Sequence, residues 1–166
     1  MEIFFVRHGD FDNSKDEKNL TEKGFDQAKQ LAKELSKHSF SKIYSSNLLR
    51  AKQTCEVFTK DYAEDERLRE IYRVIVGGPI REGTPKEREL KNRERADEAF
   101  DSLKKEAGKI LVFCHGNLIR YYLNKVLKSE ENLWGNMEIS NCSISILEIE
   151  GNKLRIKKIN SESHLK

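Results

Sequence analysis

With 166 residues, 37% of them hydrophobic and 36% charged, the chain is sized for a single domain, residues 1–166, with a sizeable core beneath a densely charged surface. A net charge of +3 is too balanced for a nucleic-acid binder, and no run nears the roughly 18 apolar residues of a membrane span. Cys55, Cys114 and Cys142 are odd in number and lack CxxC spacing, so they read as reduced thiols. With a motif already at residue 7 leaving no room for a signal peptide, the cytoplasm is the expected compartment.

Ile3-Phe4-Phe5-Val6 is a continuous apolar run, the pattern of a strand buried on both faces, and it stops abruptly at Arg7-His8-Gly9. Open α/β sheets hold ligands at the carboxyl ends of such strands. Asp10–Asn19 is a polar loop, and Thr21–Lys37 is helical with Phe25, Ala28, Leu31, Ala32 and Leu35 on one face. A short strand, Lys42–Ser46, precedes a helix capped by Asn47 with Leu48, Ala51, Cys55 and Phe58 inward. Residues 61–85 hold both prolines and read as a long loop with little regular structure. A charged helix then runs from Lys86 to about Ala107. Lys109–Cys114 is the second apolar strand and delivers His115-Gly116-Asn117 straight into another helix. Strands Ser143–Glu150 and Lys153–Ile159 flank a Gly151-Asn152 hairpin turn, and Asn160–Lys166 reads as a frayed tail. This alternation predicts an α/β fold, a three-layer α/β/α sandwich on a mostly parallel central sheet with a C-terminal hairpin.

The chemical signal is a pair of strand-end histidines, each followed by glycine, which allows a sharp turn or a close approach. A lone histidine there would more often be structural. Two at equivalent positions point to a shared pocket. Arg7 and Arg50 are natural anion partners, because the guanidinium fork matches phosphate, and amides near Gly116 can add to an anion site. His38 and His164 are expected at the surface. A literal C-x5-R, Cys114 to Arg120, is the rival signal, that of a thiolate phosphatase, but it leaves Arg7-His8-Gly9 and Arg50 without a purpose.

Five stretches occur in order: Val6-Arg7-His8-Gly9; Leu20-Thr21 with Gly24 and Gln27-Ala28; Tyr44-Ser45-Ser46 with Leu48, Arg50-Ala51 and Gln53-Thr54; Leu68-Arg69-Glu70; and Cys114-His115-Gly116. Together they resemble the histidine phosphatase superfamily, also called phosphoglycerate mutase-like. The resemblance implies that His8 is a nucleophile forming a phosphohistidine, and that Arg7, Arg50 and His115 hold the phosphoryl oxygens. It implies an acid that protonates the leaving oxygen: Glu70 in its Leu-x-Glu context, with Glu82 in Arg81-Glu82-Gly83 as the competitor. Asn13 and Asn117 are further candidates for substrate binding. No metal and no cofactor are implied.

Mutases of the superfamily are generally longer, which favours a phosphatase. His115–Tyr121, Trp134, Ser140-Asn141 and Ser143-Ile144 are similar to the family's mitochondrial serine/threonine protein phosphatases, with the expected departure that the N-terminal membrane anchor and partner-binding segment of that group are not matched. The expected substrate is a small phosphorylated metabolite or a phosphoprotein, with no nucleic-acid or membrane partner and the oligomeric state open to a homodimer. The alternatives are phosphoglycerate mutase-type transfer and a phosphate-recognition module without turnover. Asp10-Phe11-Asp12 departs from the family's frequent glutamate after the glycine.

Overall fold

A computed structural model of the protein describes residues 1–14, 18–71, 85–128 and 136–166. The two apolar runs become neighbouring parallel strands, β1 (Glu2–Arg7) and β4 (Lys109–Cys114), at the centre of a six-stranded sheet. On one side follow β2 (Lys42–Ser45) and the short β3 (Ala63–Glu64), both parallel. On the other, β5 (Ile144–Glu150) and β6 (Lys153–Ser161) run antiparallel as the expected hairpin, giving the order β3-β2-β4-β1-β5-β6. Gly151 takes the hairpin corner at a φ of +56°.

Strand alternation divides the core in two. Ile3, Phe5, Ile110 and Val112 face one cluster with α3 (Lys86–Leu103) and α4 (Gly116–Leu127); Phe4, Val6, Leu111 and Phe113 face another with α1 (Glu22–Leu35) and α2 (Leu49–Phe58). This is the three-layer α/β/α arrangement.

The boundaries differ from the expectation where local chemistry is ambiguous. Thr21 caps α1, its hydroxyl accepting from Gly24 N at 3.0 Å, but Phe25 turns outward at 36% exposure while Gly24, Ala28, Leu31 and Leu35 face in. Asn47 does not cap α2. The cap position falls on Leu48, whose N–H goes to Ser46 Oγ at 3.3 Å. α3 stops at Leu103, so Ala107 is exposed, and its carbonyl accepts from Ser41 Oγ at 2.6 Å. The 61–71 part of the expected loop contains β3 and a 3-10 turn, Glu66–Leu68. Its glycines at 77, 78 and 83, and Trp134, lie outside the described residues. The tail is ordered against the body: Lys166 N donates to Gln30 Oε1 at 2.8 Å, Leu165 packs on the second cluster, and His164 Nε2 lies 3.0 Å from the Cys142 carbonyl. His38, also half-buried, sits with its ring 5.0 Å from that of Phe4. Neither outer histidine is a free surface group.

Candidate active site

In the β1–β4 register Arg7 pairs with Cys114, and His8 N donates to Cys114 O at 3.1 Å. His8 and His115 therefore leave adjacent strands at the same level, with ring centroids 5.1 Å apart and both side chains buried. His8 Nδ1 lies 2.8 Å from the Gly9 carbonyl, an acceptor only, so Nδ1 carries the proton and Nε2 keeps its lone pair. Arg50 Nε donates to that Nε2 at 3.1 Å. Burial, reinforced by Arg50 and Arg7, pushes the His8 pKa down to about 3, so the imidazole is neutral.

His115 is neutral too, its pKa driven well below 6.5 by burial and then by His8, Arg50 and Arg7. Its Nε2 is 2.9 Å from Ser46 Oγ; its Nδ1 is buried with no partner among the described residues. Arg7 spends Nη1 on Ile139 O at 2.6 Å, while its buried Nε is likewise unpartnered there. Arg50 is 8% exposed and lies with Cζ 4.9 Å from the centre of the Phe11 ring. Burial lowers the pKa of both guanidiniums, which stay charged at any working pH. Three buried nitrogens, Nε2 of His8, Nδ1 of His115 and Nε of Arg7, thus belong to one small cationic enclosure.

The glycines serve packing. A Cβ on Gly116 would sit 3.3 Å from Arg7 Nε; one on Gly9 would sit 2.7 Å from Gly24 O. The loop after His8 is tied down from two helices: Gly9 N donates to Thr54 Oγ1 at 3.0 Å, Asp10 N to Gln27 Oε1 at 2.9 Å, and Thr21 Oγ1 to Asp10 Oδ2 at 2.6 Å. Gly24, Gln27 and Thr54 of the family-like stretches are therefore scaffold for the loop after His8.

Glu70 follows the 3-10 turn. Its Oε1 accepts from Ile71 N at 3.0 Å and Leu118 N at 3.2 Å, and its Oε2 from Asn117 N at 3.4 Å, so the carboxyl docks on the amino end of α4. Burial raises its pKa against the pull of those amides and of Arg50. Glu70, Arg50 and Asn117, with Arg69 and Lys18, line an open cleft of about 1270 Å³.

Asn117 departs from its expected substrate contact: its side chain is engaged by the protein, donating to Ile71 O at 3.2 Å and accepting from Arg120 at 3.1 Å. Asn13 is exposed on a turn and is not in the cleft lining. Glu82 lies outside the described residues. The C-x5-R rival does not assemble, because Cys114 packs in the apolar core, burial pushes its thiol up, and Arg120 Nε is given to Met137 O at 2.7 Å. Three neighbours of the histidines were not anticipated in these contacts, although Ser46 and Asn141 lie in the matched stretches: Ser46 on His115, Phe11 edge-on to His8 at 4.9 Å, and Asn141, whose Nδ2 donates to His8 O at 2.9 Å. Among the described residues no group of three or more His, Cys, Asp and Glu could hold a metal ion, and no helix is long and apolar enough to cross a membrane.

Residues 3–87 and 79–162 match the model of the histidine phosphatase superfamily (branch 1). The chain belongs to this superfamily. It is 28% identical over 181 residues to the mitochondrial serine/threonine-protein phosphatase Pgam5 of Caenorhabditis briggsae, covering 98% of this chain and 64% of that one, so it spans about three fifths of the relative's length. It is 29% identical over 174 residues to the 2,3-bisphosphoglycerate-dependent phosphoglycerate mutase of Thermoplasma acidophilum, covering 87% and 86%. Length is therefore a weaker discriminator between phosphatase and mutase than the sequence suggested. A phosphoserine phosphatase from Entamoeba histolytica, solved in complex with phosphoserine, shares the fold at a TM-score of 0.81, 20% identity and 99% coverage of both chains.

Proposed function

We propose that the protein is a metal-independent phosphomonoester hydrolase working through a phosphohistidine on His8 Nε2. The observation that carries this reading is the neutral, Nδ1-protonated His8, whose unprotonated Nε2 accepts from the buried guanidinium of Arg50 at 3.1 Å. Phosphoryl transfer needs positioning and positive charge around the phosphoryl oxygens. Arg7 and Arg50 supply the charge. If the Ser46 hydroxyl, which accepts from Leu48 N, gives its proton to His115 Nε2, then His115 Nδ1 is left as a third donor.

Attack by the Nε2 lone pair forms the N–P bond while the ester P–O bond breaks, and Glu70 gives its proton to the departing oxygen. A water then loses a proton to Glu70 and attacks phosphorus; the N–P bond breaks, phosphate leaves, and both groups return to their starting states. Burial of Glu70 favours the protonated form that the first step requires.

The substrate in this reading is a phosphorylated small molecule or a phosphoprotein; relatives named as a serine/threonine-protein phosphatase and a phosphoserine phosphatase support both. The similarity to a phosphoglycerate mutase over most of its length keeps phosphoryl transfer between glycerates as a second reading. Three buried free thiols support a reducing, cytoplasmic compartment.

Hydrolysis of p-nitrophenyl phosphate in EDTA should be steady and lost in His8→Ala. Radiophosphate trapped on the protein should be acid-labile and base-stable. Its release to water supports hydrolysis; its delivery to a phosphoglycerate supports the mutase. Full activity of His8→Ala would overturn both, and phosphate binding without turnover would favour the recognition module. Comparison of kcat/KM over phosphometabolites and phosphopeptides selects the substrate class.

A further inference from the structure

Arg95 sits in the middle of α3, on a helix whose sequence is a run of charges. Its guanidinium does not behave as a solvated surface group. Nη1 donates to Arg67 O at 2.7 Å and Arg69 O at 3.0 Å, and Nη2 donates to Glu70 O at 3.3 Å and Asn92 Oδ1 at 2.9 Å. Glu66 O lies farther off, at 3.5 Å. Among the described residues its hydrogen bonds go to carbonyls and one amide and none to a carboxylate.

These carbonyls belong to the turn that leads into Glu70. Leu68 fixes one side of that turn by complete burial, but Arg69 between them is exposed. The carboxyl of Glu70 is fixed separately, by the amides at the start of α4. Glu70 is thus strung between two helices, its backbone on α3 through Arg95 and its side chain on α4. Without the first anchor, the hydrogen bonds that remain on this stretch among the described residues, from Ile71 N to the carboxyl and from Asn117 Nδ2 to Ile71 O, leave the carboxylate free to seat deeper on the amino end of α4, which attracts anions. A proton donor must lie within hydrogen-bond reach of its acceptor, so such a retreat costs proton transfer before it costs phosphate binding.

We propose that Arg95 is a positioning residue for the general acid: by clamping the carbonyls of residues 67, 69 and 70 it sets the reach of the Glu70 carboxyl toward the leaving oxygen. The clamp rests on the reading of Glu70 as the acid. Its charge is not the active property; the planar fork that spans several carbonyls is.

The test uses two esters, phenyl phosphate, whose leaving oxygen needs a proton, and p-nitrophenyl phosphate, whose leaving group does not. Arg95→Ala should lower kcat/KM for phenyl phosphate about tenfold more than for p-nitrophenyl phosphate, within what a misplacement near 1 Å costs. In a Glu70→Gln background the same substitution should add little, because the group through which it acts is gone. Equal losses on both esters, or a full additional loss in the Glu70→Gln background, would overturn the clamp. If Arg95→Ala fails to fold by circular dichroism, Arg95→Lys is judged by the same ratio, since it keeps the charge and loses the fork. A Glu70→Gln enzyme that treats the two esters alike defeats the acid reading and the clamp with it. One that separates them while the Arg95 variants do not defeats the clamp alone.

Discussion

Gly24 touches no substrate in the proposed reaction, yet Gly24→Ala should damage both stability and turnover. It is the third residue of α1, where helix propensity alone favours alanine by about 1 kcal/mol. The added methyl, however, would lie 2.0 Å from Asp10 O, 2.9 Å from Asp10 C and 3.0 Å from Asp10 N. Carbon and carbonyl oxygen ordinarily approach no closer than about 3.3 Å, so backbone must separate by on the order of 1 Å. That movement strains the Thr21 N to Asp10 O bond of 3.0 Å, which closes the loop two residues after His8. Overpacking costs about 1–3 kcal/mol and the weakened hydrogen bond about 1 more, against the propensity gain of about 1. The net expectation is about 1–3 kcal/mol of destabilisation, and a nucleophile displaced by about 1 Å loses about 10²-fold in rate. Thermal melts and kcat/KM on p-nitrophenyl phosphate, with the exposed Lys23→Ala as control, measure both. A higher melting temperature with undiminished kcat/KM would refute the reasoning, because propensity would then have outweighed contact.

Arg50→Ala should reduce kcat/KM by about 10²–10³, the effect of deleting one preorganised donor to developing charge, and a loss below about fivefold removes Arg50 from the phosphoryl site. Cys114→Ser should keep kcat per folded molecule, since the thiol faces the core and burial raises its pKa, while losing about 1–3 kcal/mol of stability from the buried hydroxyl; a dead but folded variant would restore the thiolate mechanism. The protein should weaken in mild acid. Above pH 6.5 His8 is neutral folded and unfolded; between 6.5 and about 3 only the unfolded chain takes the proton, so stability falls with pH by up to about 1.4 kcal/mol per unit, and His115 adds in the same direction. Glu70, raised in the fold, opposes this just above its ordinary 4.5. Urea midpoints that stay flat from pH 7.5 to 5 would show that the imidazoles are not held neutral.

What could be read in the chain was what repeats or stands out locally. Two continuous apolar runs became the central strands, and the histidine that follows each stands beside the other because the strands pair in register. Arg50, expected as an anion partner, is buried with its Nε on His8 Nε2. Asn47 misled because an asparagine before a helix usually caps it, whereas here Ser46 takes the Leu48 N–H. The position of Asn117 at the start of α4 says nothing of Ile71 and Arg120, which bond its two polar atoms while the residue lines the cleft. Arg95, and the partners of Ser46 and Asn141 within the matched stretches, could not be read for a common reason: their contacts depend on His8 and His115 or on backbone carbonyls brought near by tertiary folding. The ordered tail was missed because its anchors, Gln30 and Cys142, are distant in sequence.

Neighbouring strands in any sheet stand about 4.8 Å apart, and the two imidazoles, one residue beyond the paired Arg7 and Cys114, stand 5.1 Å apart. The two imidazoles thus inherit their separation from the spacing of the backbone strands. Cleft residues such as Lys18 and Arg69 lie outside these two strands, so exchanging them leaves the spacing of the two rings unchanged. A one-residue slip of β1 against β4, by contrast, would carry His8 to the opposite face and end the chemistry at a stroke, whatever the loops had become.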